Sequence, residues 1–159
     1  MPFDPDAAVL AALLPGTWRI GATNFPVWLR GDRLRPRFRY DLKSADPLIF
    51  HDVVTYTTGE GAQKSIEGID RFRTDGFVWR GTGLFSVVTS RWSVAGASED
   101  SNILVIRFAK SVLAPAGVDV VVREGTDSHA FRTAVAGNSD ALGLTHGEFA
   151  SLSWLELAD

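Results

Sequence analysis

Residues 33–42 read Arg33-Leu34-Arg35-Pro36-Arg37-Phe38-Arg39-Tyr40-Asp41-Leu42. Apolar and charged residues alternate without a break. Successive side chains of a strand point to opposite faces. The stretch therefore predicts a strand with a dry face of Leu34, Pro36, Phe38, Tyr40 and Leu42 and a wet face of four arginines and Asp41. Pro36 has no N–H to give a ladder, which predicts a bulge or an edge beside it.

Similar stretches lie on both sides. Strands are expected at 17–24, 47–57, 64–72, 77–81, 84–95, 102–109 and 118–123, joined mainly by short glycine-containing turns. No helical pattern between them is long enough for a parallel crossover. Eight sequential antiparallel strands leave two edges to hide, and closure into an all-β, eight-stranded up-and-down barrel hides both. In the first strand Trp18, Ile20 and Ala22 share one face. Before it, 1–16 reads as a short helix with Asp4 as N-cap and Pro5 in the first turn. After it, Thr145-His146-Gly147-Glu148 reads as a capping box opening a terminal helix, with Phe149, Leu152 and Leu155 along its apolar stripe. The 159 residues are expected to form one domain, a barrel over about 16–123 and a helical extension over 124–159, because two cores of half that size would each be marginal.

Composition narrows the function. Hydrophobic residues make up 45% of the chain, which removes the case for disorder. The net charge of −3 and the scattered basic residues speak against nucleic acid as a partner, and Arg33, Arg35, Arg37 and Arg39 read as a solvated face. With no cysteine, a disulfide, a thiolate zinc site and a cysteine nucleophile are all impossible. That suits a reducing, cytoplasmic setting. The N-terminal apolar run lacks a basic flank and is too short to span a bilayer, so no membrane insertion is expected. Nothing in the pattern sets an oligomeric state.

Gly16-Thr17-Trp18, on the first strand just after a short helix, resembles the G-x-W signature of the lipocalins (calycin superfamily). The resemblance implies a barrel whose base is closed by Trp18 and whose interior holds a small molecule. The second and third motifs of that family are not recognisable. The stretch 14–26 also resembles the opening of the haem-binding nitrobindins, themselves small cysteine-free barrels. Their glycine-rich repeat is replaced here by Ile20-Gly21-Ala22-Thr23-Asn24.

Aromatic residues are the main functional signal. Should the Trp18 face point inward, Phe38 and Tyr40 would line a cavity, with Tyr56, Trp79 and Trp92 from later strands and Trp28 from the long 25–32 connection as its cover. Asp70 shares a face with Ile66, Gly68 and Phe72. It would be buried there, with Arg71 or Arg91 as partner, or solvated near the strand end, and the solvated position is preferred. His51 would be a wall residue or a base if its face, shared with Ile49 and Val53, were the inner one. His51, His129 and His146 are too dispersed for metal ligation, so no metal and no cofactor is expected. Ser86 and Ser90 read as ordinary strand residues, and Gly81-Thr82-Gly83 as a bend. Three functions follow in order. The first is binding of an apolar or aromatic small molecule. The second is an isomerase or cyclase on a hydrophobic substrate, with Asp70, His51 and Tyr40 as acid–base groups. The third is haem binding of the nitrobindin type.

Overall fold

A computed structural model describes residues 3–112 and 114–157. Helix α1 (Ala7–Leu13) precedes eight strands: β1 (Gly16–Thr23), β2 (Leu34–Ala45), β3 (Leu48–Thr57), β4 (Gln63–Arg73), β5 (Gly76–Gly81), β6 (Thr89–Ala97), β7 (Ile103–Phe108) and β8 (Gly117–Arg123). Every neighbouring pair is antiparallel, and β1 pairs with both β8 and β2, so the eight-stranded up-and-down barrel is closed. Helices α2 (Phe131–Gly137) and α3 (His146–Ser151) and a two-residue strand β9 (Ser153–Trp154) follow. Among the described residues no helix is long and apolar enough to cross a membrane.

The base is sealed from inside and below. Trp18 is fully buried, donates its indole N–H to Leu14 O at 2.9 Å, and packs with Leu10, Leu13 and Leu14 of α1. The Arg123 guanidinium lies 4.1 Å from the Trp18 ring and donates to the carbonyls of Leu13 and Pro15. The cap of α1 is Asp6, which accepts from Val9 N at 2.9 Å, not Asp4: the helix starts two residues later than the sequence suggested.

Strand β1 serves two cores. Trp18 and Ile20 point into the barrel, but the pairing with β8 shifts between Ile20 and Ala22. This bulge turns Ala22 outward, against the expected common face, into a second cluster with Val105, Val118, Val120, Phe131 and Val135. The absence of a Cβ at Gly21 makes this possible, since one there would stand 2.4 Å from the Phe131 ring. Beyond the bulge β1 leaves β2, and β9 takes its place beside Ala22 and Thr23.

Strand β2 keeps its alternation only in the middle. Pro36, Phe38 and Tyr40 are buried, whereas register shifts near Leu34 and after Leu42 leave both leucines over 40% exposed. The shift at Pro36 is the one expected there. It also releases Arg33 from the solvated row and turns it to the barrel mouth, 4.9 Å over the Tyr56 ring. The expected strand over 84–95 begins only at Thr89; Gly83–Phe85 is a single 3-10 turn that leaves Leu84 and Val87 in solvent. Ser86 therefore lies off the strand.

The expected terminal helix is α3, shorter than its stripe suggested, and α2 precedes it in a stretch where no helix was expected. The Thr145–Glu148 capping box is present, yet α3 ends at Ser151, and Leu155 belongs to the extended segment after it. Glu148 also takes two hydrogen bonds from Arg107 on β7, at 2.7 and 2.8 Å, which ties α3 to the barrel wall.

Candidate binding chamber

Opposite the sealed base, the barrel opens into a cavity of about 240 Å³ lined by residues from seven strands and three loops. Its walls are aromatic: Phe25, Trp28, Phe38, Tyr40, Trp79, Trp92 and Phe108 all contribute. Phe77, Trp92 and Tyr40 form a stacked row beneath it, with centroids 4.5 and 5.4 Å apart. Trp79 gets in because β4 carries Gly68 diagonally across from it, beside its partner Asp70; a Cβ at Gly68 would stand 2.0 Å from the indole nitrogen. Trp28 ends a 3-10 turn (Pro26–Trp28), half-buried at the mouth, its ring 6.4 Å from that of Tyr56. Trp28 does not pack on Phe149 and Trp154, which belong to the outer cluster. A larger concavity of about 460 Å³ lies beside Arg73, Arg91 and Glu148, among charged side chains.

The cavity wall holds buried acids. Asp52 and Asp119 line it, and Asp70 lies just behind. All three are at most 5% exposed. Asp70, expected near solvent, is fully buried because its strand runs on to Arg73. Neither Arg71 nor Arg91 reaches it, both being exposed on the outer face. Instead Asp70 Oδ1 accepts the Trp92 indole N–H at 2.9 Å, and its carboxyl is hydrogen-bonded to that of Asp52. Two carboxyls can share such a bond only when one is protonated. Burial and then the Asp70 charge hold the Asp52 carboxyl well above the usual range. Burial pushes Asp70 up to about 6, against the lowering effect of its bonds to Asp52 and Trp92.

Asp119 sits on β8, opposite Thr23. Burial raises it to about 7, against the lowering influence of the nearby Thr23 hydroxyl and Trp28 indole. Asp119 Oδ1 has no hydrogen-bond partner among the described residues, whereas the buried Asp52 Oδ1 and Asp70 Oδ2 have none besides the bond their two carboxyls share. Tyr40 stands amid the three acids; burial, then Asp52, Asp70 and Asp119, keep its phenol well above its ordinary value. Arg33, the cation lining the mouth, stacks on Tyr56 and makes no ion pair with these acids.

Two of the three acid–base candidates, Asp70 and Tyr40, thus meet inside the barrel. His51 does not: it is on the outer face of β3, 3.3 Å from Glu67 Oε2. Its neighbour Asp52 takes the inner position, through pairing with Gly68 and Tyr40. None of the three histidines lines the cavity. Of the aromatic candidates, Trp28, Phe38, Tyr40, Trp79 and Trp92 line the chamber and Tyr56 stands at its rim against Trp28. Asp52 and Asp119 escaped the sequence reading. The signal for Asp119 was a lone acid in an unbroken run of valines, Val118 to Val122.

No protein-family model and no curated protein matches the sequence. Comparison of folds does find neighbours. Lobster apocrustacyanin A1 aligns with a TM-score of 0.63 at 10% identity, over 97% of this chain and 87% of that one. H1 crustacyanin from the lobster Homarus americanus gives 0.62 at 10%, over 100% and 91%. The siderocalin Ex-FABP gives 0.57 at 13%, over 92% and 95%. The fold is that of a lipocalin-like, calycin-type barrel.

Proposed function

We propose that this chain binds a small, mostly apolar molecule inside its barrel, admitted at the mouth beside Trp28. One observation carries the reading: a closed barrel sealed at its base by Trp18 keeps an aromatic chamber open at the other end. A fold of this kind that needed only stability would fill its interior with side chains. The neighbouring siderocalin is described as acting through dual ligand specificities, which is consistent with a barrel of this shape holding ligands. The size is informative. At about 240 Å³ the chamber falls below the roughly 300–1,000 Å³ of pockets for drug-sized ligands, so one or two rings fit and a haem or a long lipid does not.

The test is a nuclear magnetic resonance titration with 2-phenylethanol, a neutral aromatic molecule of suitable size. Saturable shifts at the indole N–H signals of Trp28 and Trp92 are expected, with little change at Trp154. Shifts confined to Trp154 and the outer helices, or none at all, would refute an internal site.

A further inference from the structure

We propose that the ligand is an organic cation, an amine or quaternary ammonium carried on an aromatic or apolar body, with its charge against Asp119 and Asp52. The inference rests on the binding reading above and specifies its ligand class. Two buried carboxyls line the chamber with a third just behind them, and none forms an ion pair among the described residues. Asp119 Oδ1 is buried without a hydrogen-bond partner among the described residues, and Asp119 and Asp52 both line the cavity. A buried carboxylate is costly unless paired, and a chamber meant for a neutral apolar molecule would have no use for two. An anion would meet repulsion.

The walls suit the same charge. Trp79, Trp92, Phe38 and Phe108 surround the acids, and aromatic faces attract ammonium groups. A metal ion is the competing cation, but among the described residues no three histidine or acidic side chains converge closely enough to hold one. One carboxylate with aromatic walls suffices for an ammonium, whereas a divalent cation takes about six oxygen ligands. Asp70 plays a positioning part. Held by Trp92 and bonded to Asp52, it fixes the Asp52 carboxyl in place, leaving Asp119, with its unpartnered oxygen, as the primary anion and Asp52 as a second oxygen acceptor.

Other groups facing the acids form no ion pair with them, and the electrostatic pull of His51 through the β3 wall falls on Asp70. Tyr40 from β2 is a neutral phenol among them. Arg33 stays over Tyr56 at the rim, and His51 lies across the β3 wall with Glu67.

Calorimetric titration of the whole chain with three probes of one shape decides the matter: 2-phenylethylamine, 2-phenylethanol and phenylacetate, at pH 8 and pH 5. At pH 8 the amine should bind roughly ten- to a hundredfold more tightly than the alcohol, the range for a hydrogen bond to a charged group, with phenylacetate weakest. At pH 5 the preference should shrink to within about threefold, because an amine keeps its proton at both pH values while Asp119 does not. In Asp119→Asn the preference should vanish at pH 8 and alcohol binding should persist; Asp52→Asn should reduce it less. Equal binding of alcohol and amine by the wild type at pH 8 would overturn the cation and leave the binding function standing. Amine preference that survives Asp119→Asn in full would also overturn it, by placing the charge elsewhere. If none of the probes binds, the binding function itself fails, and the cation with it.

Discussion

The indole of Trp28 reaches Asp119 closely enough to hold its proton affinity down, so the turn across the barrel mouth is coupled to an acid buried on β8, the strand beside β1. Cover and candidate anion form one unit, and Trp28 variants should report on both. Trp28→Ala should weaken binding of 2-phenylethanol by about 1–3 kcal/mol, as for a hot-spot aromatic. Trp28→Phe keeps most of the apolar surface and loses only the donor. Since that donor favours the ionised acid, its loss should raise Asp119 further above about 7, seen by carboxyl-selective magnetic resonance titration. An unmoved Asp119 in Trp28→Phe would show that the indole does not act on it in solution.

The buried acids should make the unliganded protein more stable on the acid side of neutrality. Asp119 and Asp70 titrate at about 7 and about 6 in the folded state, against roughly 3.9 in the unfolded chain. Between those limits the folded state holds more protons than the unfolded one. Stability therefore falls as pH rises, most steeply from about pH 4 to pH 7. Melting curves should show a lower Tm at pH 8 than at pH 5. Asp119→Asn should flatten the difference and stabilise the protein at pH 8 by an amount on the order of a few kcal/mol. A wild-type Tm that rises from pH 5 to pH 8 would contradict the burial of these groups.

The base plug should be the most expensive single aromatic to lose. Trp18→Ala is expected to cost about 3–5 kcal/mol in urea unfolding, the range for truncating a buried large aromatic. Arg123→Ala should cost less, roughly 1–2 kcal/mol, from the loss of its contact with the Trp18 ring and of hydrogen bonds to the α1 end. A loss under about 1 kcal/mol for Trp18→Ala would mean the base is closed by α1 alone.

Glu148 completes the α3 capping box and receives Arg107 from β7. Glu148→Ala should lower stability by about 1–2 kcal/mol, mostly through the cap, since the Arg107 pair is partly solvent-screened. Probe affinity should stay within about twofold, because neither residue lines the chamber. A large drop in affinity would reveal coupling between the outer helices and the cavity.

The barrel was legible from alternation in β2 and from the turn spacing, because both depend on local pattern. What escaped were the places where pattern carries no preference. In β3 both parities are apolar, Ile49 and Val53 against Phe50 and Val54, so periodicity cannot choose between His51 and Asp52; only pairing with Gly68 on β4 does. In β8 the outer face is covered by α2 and α3, so valines occupy both sides and Asp119 has no contrast to stand against. Residues 84–88 carry strand-like composition, but they turn in solvent. Helix α2 rests on one i,i+4 pair, Phe131 and Val135, too little for a helical stripe to show.

The bulge at Gly21 leaves the barrel with unequal walls. Where β1, β7 and β8 carry apolar side chains on both faces, every backbone amide is sealed between two cores; across the barrel, β3 to β5 have only one. Amide exchange should accordingly be slowest in β1, β7 and β8 and fastest in β3 to β5, with the difference set by how much packing each opening must break. The wall bearing Asp119 would then behave as a rigid plate, and the breathing that admits a guest would belong to the wall bearing Asp52.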